Sequence, residues 1–145
     1  MTGREFLTVA QQLAGASTEA EWRSAISRAY YAAFHVAREL LEDLRFAVPR
    51  ADRAHAYLSR RLANCGHAQT QQAGTDLNAL RGDRNQADDD LHRPVTAQLA
   101  TLHVRLAEQI VRFLDAAGHE PVRSQVTDAM RIYERDVLQE QTWQP

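Results

Sequence analysis

Apolar residues recur at three- and four-residue steps along most of this chain, the spacing of helices that bury one face. Phe6, Leu7, Ala10 and Leu13 keep that spacing over residues 4–14, and Ala14-Gly15-Ala16-Ser17 ends the first helix. Thr18 followed by Glu21 reads as a capping box, in which hydroxyl and carboxylate satisfy backbone donors at a helix start. From there Trp22, Ile26, Ala29, Ala33, Ala37, Leu40, Leu41 and Leu44 form one stripe, predicting a central helix of about 25 residues. Val48-Pro49 interrupts the pattern, which returns over residues 51–64 through Ala54, Tyr57, Leu58 and Leu62. Cys65-Gly66 starts a polar connection, and a weaker helical segment from about residue 70 to 80 leads into the chemically dense stretch 81–92.

Pro94 fits the first turn of the next helix, where its missing donor costs little. Val95, Leu99, Leu102, Leu106, Ile110, Phe113 and Leu114 supply that helix's stripe, and Gly118 ends it. Beyond Pro121, Val122, Val126, Met130, Tyr133 and Val137 mark a final amphipathic helix, followed by a polar tail with Trp143. No alternating strand pattern or internal repeat interrupts the series. Five to six helices with short connections predict an all-α fold, an antiparallel up-and-down bundle, because each stripe is buried only against another helix. Residues 1–118 read as the bundle and residues 119–145 as a C-terminal helical extension and tail.

Composition narrows the function classes. The chain has 145 residues, the size of one domain, with 24 Ala against 6 Gly and 4 Pro. Its net charge of −2 excludes a globally basic nucleic-acid binder, so any basic surface is local. All 17 basic residues are Arg, which a GC-rich genome explains as readily as selection for guanidinium chemistry. Cys65 is the single cysteine, which rules out an internal disulfide and a cysteine-based metal site. Asp88, Asp89 and Asp90 point in different directions if helical, so no metal site and no cofactor is expected. Apolar runs fall far short of the roughly 18 residues of a membrane span, and no leader-like segment follows Met1, so a cytoplasmic protein without membrane contact is expected.

Two segments carry a resemblance. The run Arg23-Ser24-Ala25-Ile26-Ser27-Arg28-Ala29-Tyr30-Tyr31-Ala32-Ala33-Phe34-His35-Val36-Ala37 resembles the signature helix of the HEPN superfamily, in its bacterial and archaeal branch. Downstream, Leu80-Arg81-Gly82-Asp83-Arg84-Asn85-Gln86-Ala87-Asp88-Asp89-Asp90-Leu91 resembles the R-x-x-R-N-x-A-D-Y-D segment of the same branch, with Asp89 in place of the Tyr. The likeness covers about residues 4–117 in order. It implies a helical bundle that dimerises, and a toxin- or defence-type setting with RNA as substrate and a nucleotidyltransferase-like protein as partner. It also implies a metal-independent endoribonuclease, in which Arg of an R-x4-6-H motif holds phosphate and His moves a proton. The alternative implied by the same likeness is a non-catalytic adaptor that binds a partner protein or a nucleotide.

Carried onto this chain, the motif departs from the family spacing: His92 follows Arg84 as R-x7-H. The catalytic candidates are Arg84, His92 and His35; the substrate-binding candidates are Arg28, Tyr31, Arg81, Asn85 and Asp88. Looser R-x4-6-H spacings occur at Arg28–His35, Arg50–His55, Arg60 and Arg61 to His67, and Arg112–His119, where chance alone gives about two. Arg28 and His35 stand out, since two helical turns place them about 10 Å apart along one face with Ser27 and Tyr31. Structural readings stand beside these. Tyr30, Tyr31 and Phe34 suit packing with one phenol reaching a partner, His35 an interhelical contact, and Arg84–Asp88 a helix ion pair, with Arg81 reaching Asp88 or Asp90. The Arg50–Arg61 cluster reads as a solvated face that is also the best local patch for RNA phosphate.

Overall fold

The computed structural model describes all 145 residues. It is all-α, a helical bundle: α1 Gly3–Ala14, α2 Glu19–Asp43, α3 Arg53–Ala63, α4 Ala68–Asp89, α5 Ala97–Ala117 and α6 Val122–Tyr133, followed by a π-helical turn at Glu134–Leu138. The only β pairing is an isolated antiparallel bridge between Phe46 and Trp143. No helix is long and apolar enough to cross a membrane. The chain forms two compact units, residues 1–36 with 76–109 and residues 37–75 with 110–145.

In the first unit, Ala25, Ala29, Ala32 and Ala33 of α2 are fully buried, so this stretch of α2 presents little more than methyl groups to its neighbours. Tyr30, Phe34 and Ile26 fill the space beside them. Contacts run in opposite senses along α1 and α2, with Gly3 against His35 and Phe6 against Tyr31, which makes the two helices antiparallel. A Cβ at Gly3 would collide with the His35 Cβ, so glycine sets how closely they approach. Arg84 meeting Tyr31 and Asp88 meeting Ser27 give the same antiparallel relation for α4 and α2.

Several boundaries differ from the expected ones for identifiable reasons. The weak segment and the dense stretch after it form one helix that continues through Asp89. Ala51 has φ of 60°, a left-handed backbone, so α3 begins only at Arg53. Pro94 lies outside α5. The Thr96 hydroxyl accepts the Leu99 N–H at 3.1 Å and caps that helix, while the Val95 N–H is taken by the Glu19 carboxylate at 3.0 Å.

The second unit is organised around a charge. Arg61, read from sequence as part of a solvated basic face, is 2% exposed. Its guanidinium donates to Glu134 at 2.8 Å and to Glu140 at 2.9 Å, and lies 3.4 Å over the Tyr57 ring. The π turn places Glu134 inside and leaves Val137 64% exposed, which reverses the register that the apolar stripe predicts there. Gly74 of α4 packs against α3, where a Cβ would come within 2.7 Å of the Ala63 backbone nitrogen.

The tail after the π turn is held by its own chain. Thr142 donates to Glu134 through both its backbone N–H, at 3.0 Å, and its hydroxyl. The Trp143 indole N–H donates to the Leu44 carbonyl at 2.9 Å, and Arg131 covers its ring at 3.7 Å.

Burial pushes the Glu134 carboxyl up, but hydrogen bonds from Thr142 and Arg61 outweigh it and hold the group below the usual carboxylate range. Its contribution to stability is therefore present above the unfolded carboxylate value near 4.5 and is lost as pH falls through the lower folded value. Arg61→Ala strands Glu134, and the expected cost is about 3–5 kcal/mol in urea unfolding at neutral pH. The paired Arg61→Met, Glu134→Leu variant recovers most of that loss, and its stability falls less on acidification than that of the parent. A neutral effect of Arg61→Ala contradicts this account of the pair.

Candidate functional site

The dense stretch of α4 faces α2 and supplies most of the candidate chemistry. Arg84 is half-buried; one guanidinium nitrogen donates to the Tyr31 hydroxyl at 2.9 Å, and the group lies 5.3 and 5.2 Å from the Tyr30 and Tyr31 rings. Asp88, one turn on, is 3.9 Å from Arg84 and accepts from the Ser27 hydroxyl at 3.3 Å. Arg81, one turn back, is also half-buried and makes no ion pair with Asp88 or Asp90, in contrast to the sequence expectation. The Nε–H groups of Arg81 and Arg84 are both buried without an acceptor in the protein. Each unmet donor of this kind costs about 1–3 kcal/mol.

The aromatic floor responds to the two charges. Burial pushes the Tyr30 phenol well above its ordinary value, against the opposing pull of Arg81 and Arg84, and it stays neutral at any physiological pH. Tyr31 links the arginine side of the cluster to the histidine side. Its ring lies 6.3 Å from that of His35, which stacks on Phe6 of α1 at 5.5 Å with 13° between planes. Arg28 reaches over the other part of that aromatic group, 5.5 Å from the Phe6 ring. Phe6, Arg28, Tyr31, His35, Arg84 and Asp88 thus form one continuous group, and Arg81 acts on Tyr30 beside it.

Two candidates fall outside it. Asn85 is exposed on α4 and contributes nothing to the cluster. His92 lies three residues past Asp89, the last of α4, in an exposed turn where its backbone N–H donates to Asp90 Oδ1 at 3.3 Å. The helix that carries Arg84 has ended before His92 is reached, so a common helix face does not bring the two together.

Sequence reading missed the residue that ends α4. Arg23, 8% exposed on α2, donates to the carbonyls of Ala87 at 2.9 Å and Asp90 at 3.0 Å, and to that of Arg93. The Ala87 carbonyl is one of those that the end of α4 leaves unsatisfied, and Asp90 and Arg93 lie in the turn beyond it. Glu19 holds the other side of the guanidinium at 2.9 Å and also takes the Val95 N–H. Hydrogen bonds from Val95 and then Arg23 hold the Glu19 carboxyl below its ordinary range. The i, i+4 spacing of Glu19 and Arg23 was the available signal, but it reads equally well as a surface pair.

His103 was missed as well. Its ring nitrogens lie 2.8 Å from the Asp83 carboxylate and 2.7 Å from the Leu99 carbonyl, so both face acceptors. The apolar stripe read from sequence did not mark it, since Leu99 and Leu102 are exposed and the buried face of α5 runs instead through Ala100, His103, Val104 and Ala107. By engaging Asp83, His103 removes one carboxylate from the surroundings of Arg81 and Arg84.

Comparison with protein-family models, with curated proteins and with solved structures finds no match to this chain.

Replacing Arg23 by Gln removes three carbonyl contacts while keeping a polar side chain. The expected result is a loss of about 2–4 kcal/mol, since hydrogen bonds to a charged group each contribute about 1.5–3 and the replacement recovers some of them. Faster amide exchange at Val95 accompanies it, because Glu19 loses its fixed position. Exchange at Val95 equal to that of the parent removes Arg23 and Glu19 as the clamp of this turn.

Proposed function

We propose that this chain is a HEPN-like, metal-independent endoribonuclease of the toxin or defence type, with Arg84 holding the scissile phosphate and His35 moving the proton. The observation that supports the choice of His35 over His92 is Tyr31, whose hydroxyl accepts from Arg84 while its ring lies beside that of His35. Asp88 and Asp83 are engaged by Ser27 and His103, which lessens the repulsion that the acidic run would otherwise exert on RNA.

In this reaction the 2′-oxygen of a ribose attacks the adjacent phosphorus and the P–O5′ bond breaks. The attacking hydroxyl gives up its proton and the leaving 5′-oxygen gains one. The products are a 2′,3′-cyclic phosphate and a 5′-hydroxyl. A histidine near its neutral range serves either transfer, and a guanidinium aimed at the phosphoryl oxygens stabilises the charge that develops there. The homodimer and the nucleotidyltransferase-like partner belong to this proposal through the same family likeness, and the cytoplasmic setting through the short apolar runs of the chain.

A non-catalytic binding module is the second reading, favoured by the flat stacking of His35 on Phe6, which makes the histidine part of the α1–α2 packing. RNA cleavage in EDTA separates the two readings. Under the first, Arg84→Ala lowers the rate about 10²–10³-fold and His35→Ala about 10²–10⁴-fold, while His92→Ala cuts like the parent and the fragments carry cyclic phosphate ends. If the parent protein leaves RNA intact yet retains it on a filter, with retention lost in Arg84→Ala, the binding module stands and the enzyme reading is withdrawn.

A further inference from the structure

We propose that the second unit contains a separate binding site for a small phosphate monoester, in a cavity of about 410 Å³ between α3 and the segment after the π turn. The site is independent of the Arg84 cluster and of any activity assigned to it.

The face of α3 that lines the cavity follows helical spacing: Arg53, then Ala56 and Tyr57, then Arg60. Arg53 and Arg60 stand two turns apart, about 10 Å along the axis, so their flexible arms can close on one group held between them. Both side chains are exposed, and neither guanidinium is tied to a carboxylate or carbonyl of the protein.

The back of the cavity is rigid. Arg61 is fixed there by Glu134 and Glu140, and the Tyr57 hydroxyl and Thr142 hydroxyl share a hydrogen bond of 2.5 Å. Burial raises the Tyr57 phenol above its ordinary value, so it remains a neutral hydrogen-bonding group. One rim is formed by Ala47 and Pro49, and Arg38 donates to the Pro49 carbonyl at 3.1 Å, which fixes that rim.

Charge selects the ligand class. Arg53 and Arg60 line the open side of the cavity without a carboxylate partner, while Arg61 behind them is already met by Glu134 and Glu140, in a protein whose net charge is −2. The cavity is thus a local reversal of the protein's charge, and its two unpaired guanidiniums are what a doubly charged anion would engage. A phosphate monoester carries roughly −1.5 to −2 at neutral pH and offers three oxygens, which suits bidentate capture by two arginines. The apolar lining from Pro49, Ala56 and Leu138 gives its organic part a surface, and the small Ala56 leaves the room for it between the two arginines. Inorganic phosphate would meet only the arginines.

Calorimetric titration of the intact protein tests this with three probes: inorganic phosphate, phenyl phosphate and a short 5′-phosphorylated single-stranded RNA. Phenyl phosphate is expected to bind about tenfold more tightly than inorganic phosphate, as burial of part of one ring contributes about 1.4 kcal/mol. The Arg53→Gln, Arg60→Gln variant loses phenyl phosphate binding at least tenfold with an unchanged melting temperature, because both residues are exposed and unpaired. Ala56→Leu fills the space between them, and is expected to retain inorganic phosphate while losing the preference for phenyl phosphate. RNA binding that exceeds phenyl phosphate binding and disappears in the double variant identifies a nucleic-acid phosphate contact and overturns the small-ligand proposal. Equal binding of phenyl phosphate by parent and double variant, or no binding by the parent at millimolar concentration, overturns it as well.

Discussion

Side-chain size along α2 is the constraint from which the first unit follows. Where Ala25, Ala29, Ala32 and Ala33 are buried, α2 has nothing longer than a methyl group to offer. Neighbouring helices gain little from interlocking large aliphatic groups at those positions, so the stabilising area comes from what flanks the alanines. Tyr30, Phe34 and Ile26 do this work on the buried side, while Tyr31 and His35 are half-exposed beside them. The aromatic residues are needed for packing because the alanines are small, and the same aromatic residues give Arg84 its surroundings. Packing and candidate chemistry therefore draw on one set of side chains, and substitutions at Tyr31 act on both.

Polar residues decide how the helices end. Arg23 collects carbonyls from the last turn of α4 and the residues after it, and Glu19 carries the same connection to Val95 at the entry to α5. In the second unit, Arg61 joins α3 to the π turn and to Glu140. Each is an arginine with at least one acidic partner and with backbone carbonyls as further acceptors. A planar group with five donors can satisfy several acceptors in one plane at once, which an ammonium cannot do with the same geometry. An all-arginine basic complement has structural uses here even where base composition is sufficient to explain its origin.

The helices were legible in the sequence because apolar spacing marks them, and α1, α2 and α5 run close to their expected limits, but the first half of α5 turns a different face inward from the one read, with Leu99 and Leu102 exposed and Ala100, His103, Val104 and Ala107 buried. What the pattern could not report was a buried charge. Arg61 falls on the stripe of Ala54, Tyr57 and Leu58 and Arg60 falls off it, but spacing alone does not supply the acid that lets an arginine be buried, and that acid, Glu134, is distant in sequence. The reach of α4 through Asp89 was hidden for the same reason: its end is satisfied from α2. In the candidate site, Arg84, Tyr31 and Asp88 could be named from the resemblance and helical spacing, and the structure brings them together. The place of Tyr31 beside His35 follows from their i, i+4 positions on α2, whereas the stacking of Phe6 on His35 needed the antiparallel contact of α1 with α2.

The Arg61–Glu134 pair has a consequence for synthesis of the chain. The two residues are 73 positions apart, so a ribosome makes α3 long before it makes the acid that neutralises Arg61. Throughout that interval, burying the inner face of α3 would bury an unmatched cation, which is prohibitively costly. The second unit is thereby prevented from closing early around an incomplete chain. Its nascent form stays open, with Arg61 hydrated, until the residues from Glu134 to Thr142 emerge and supply the acceptors.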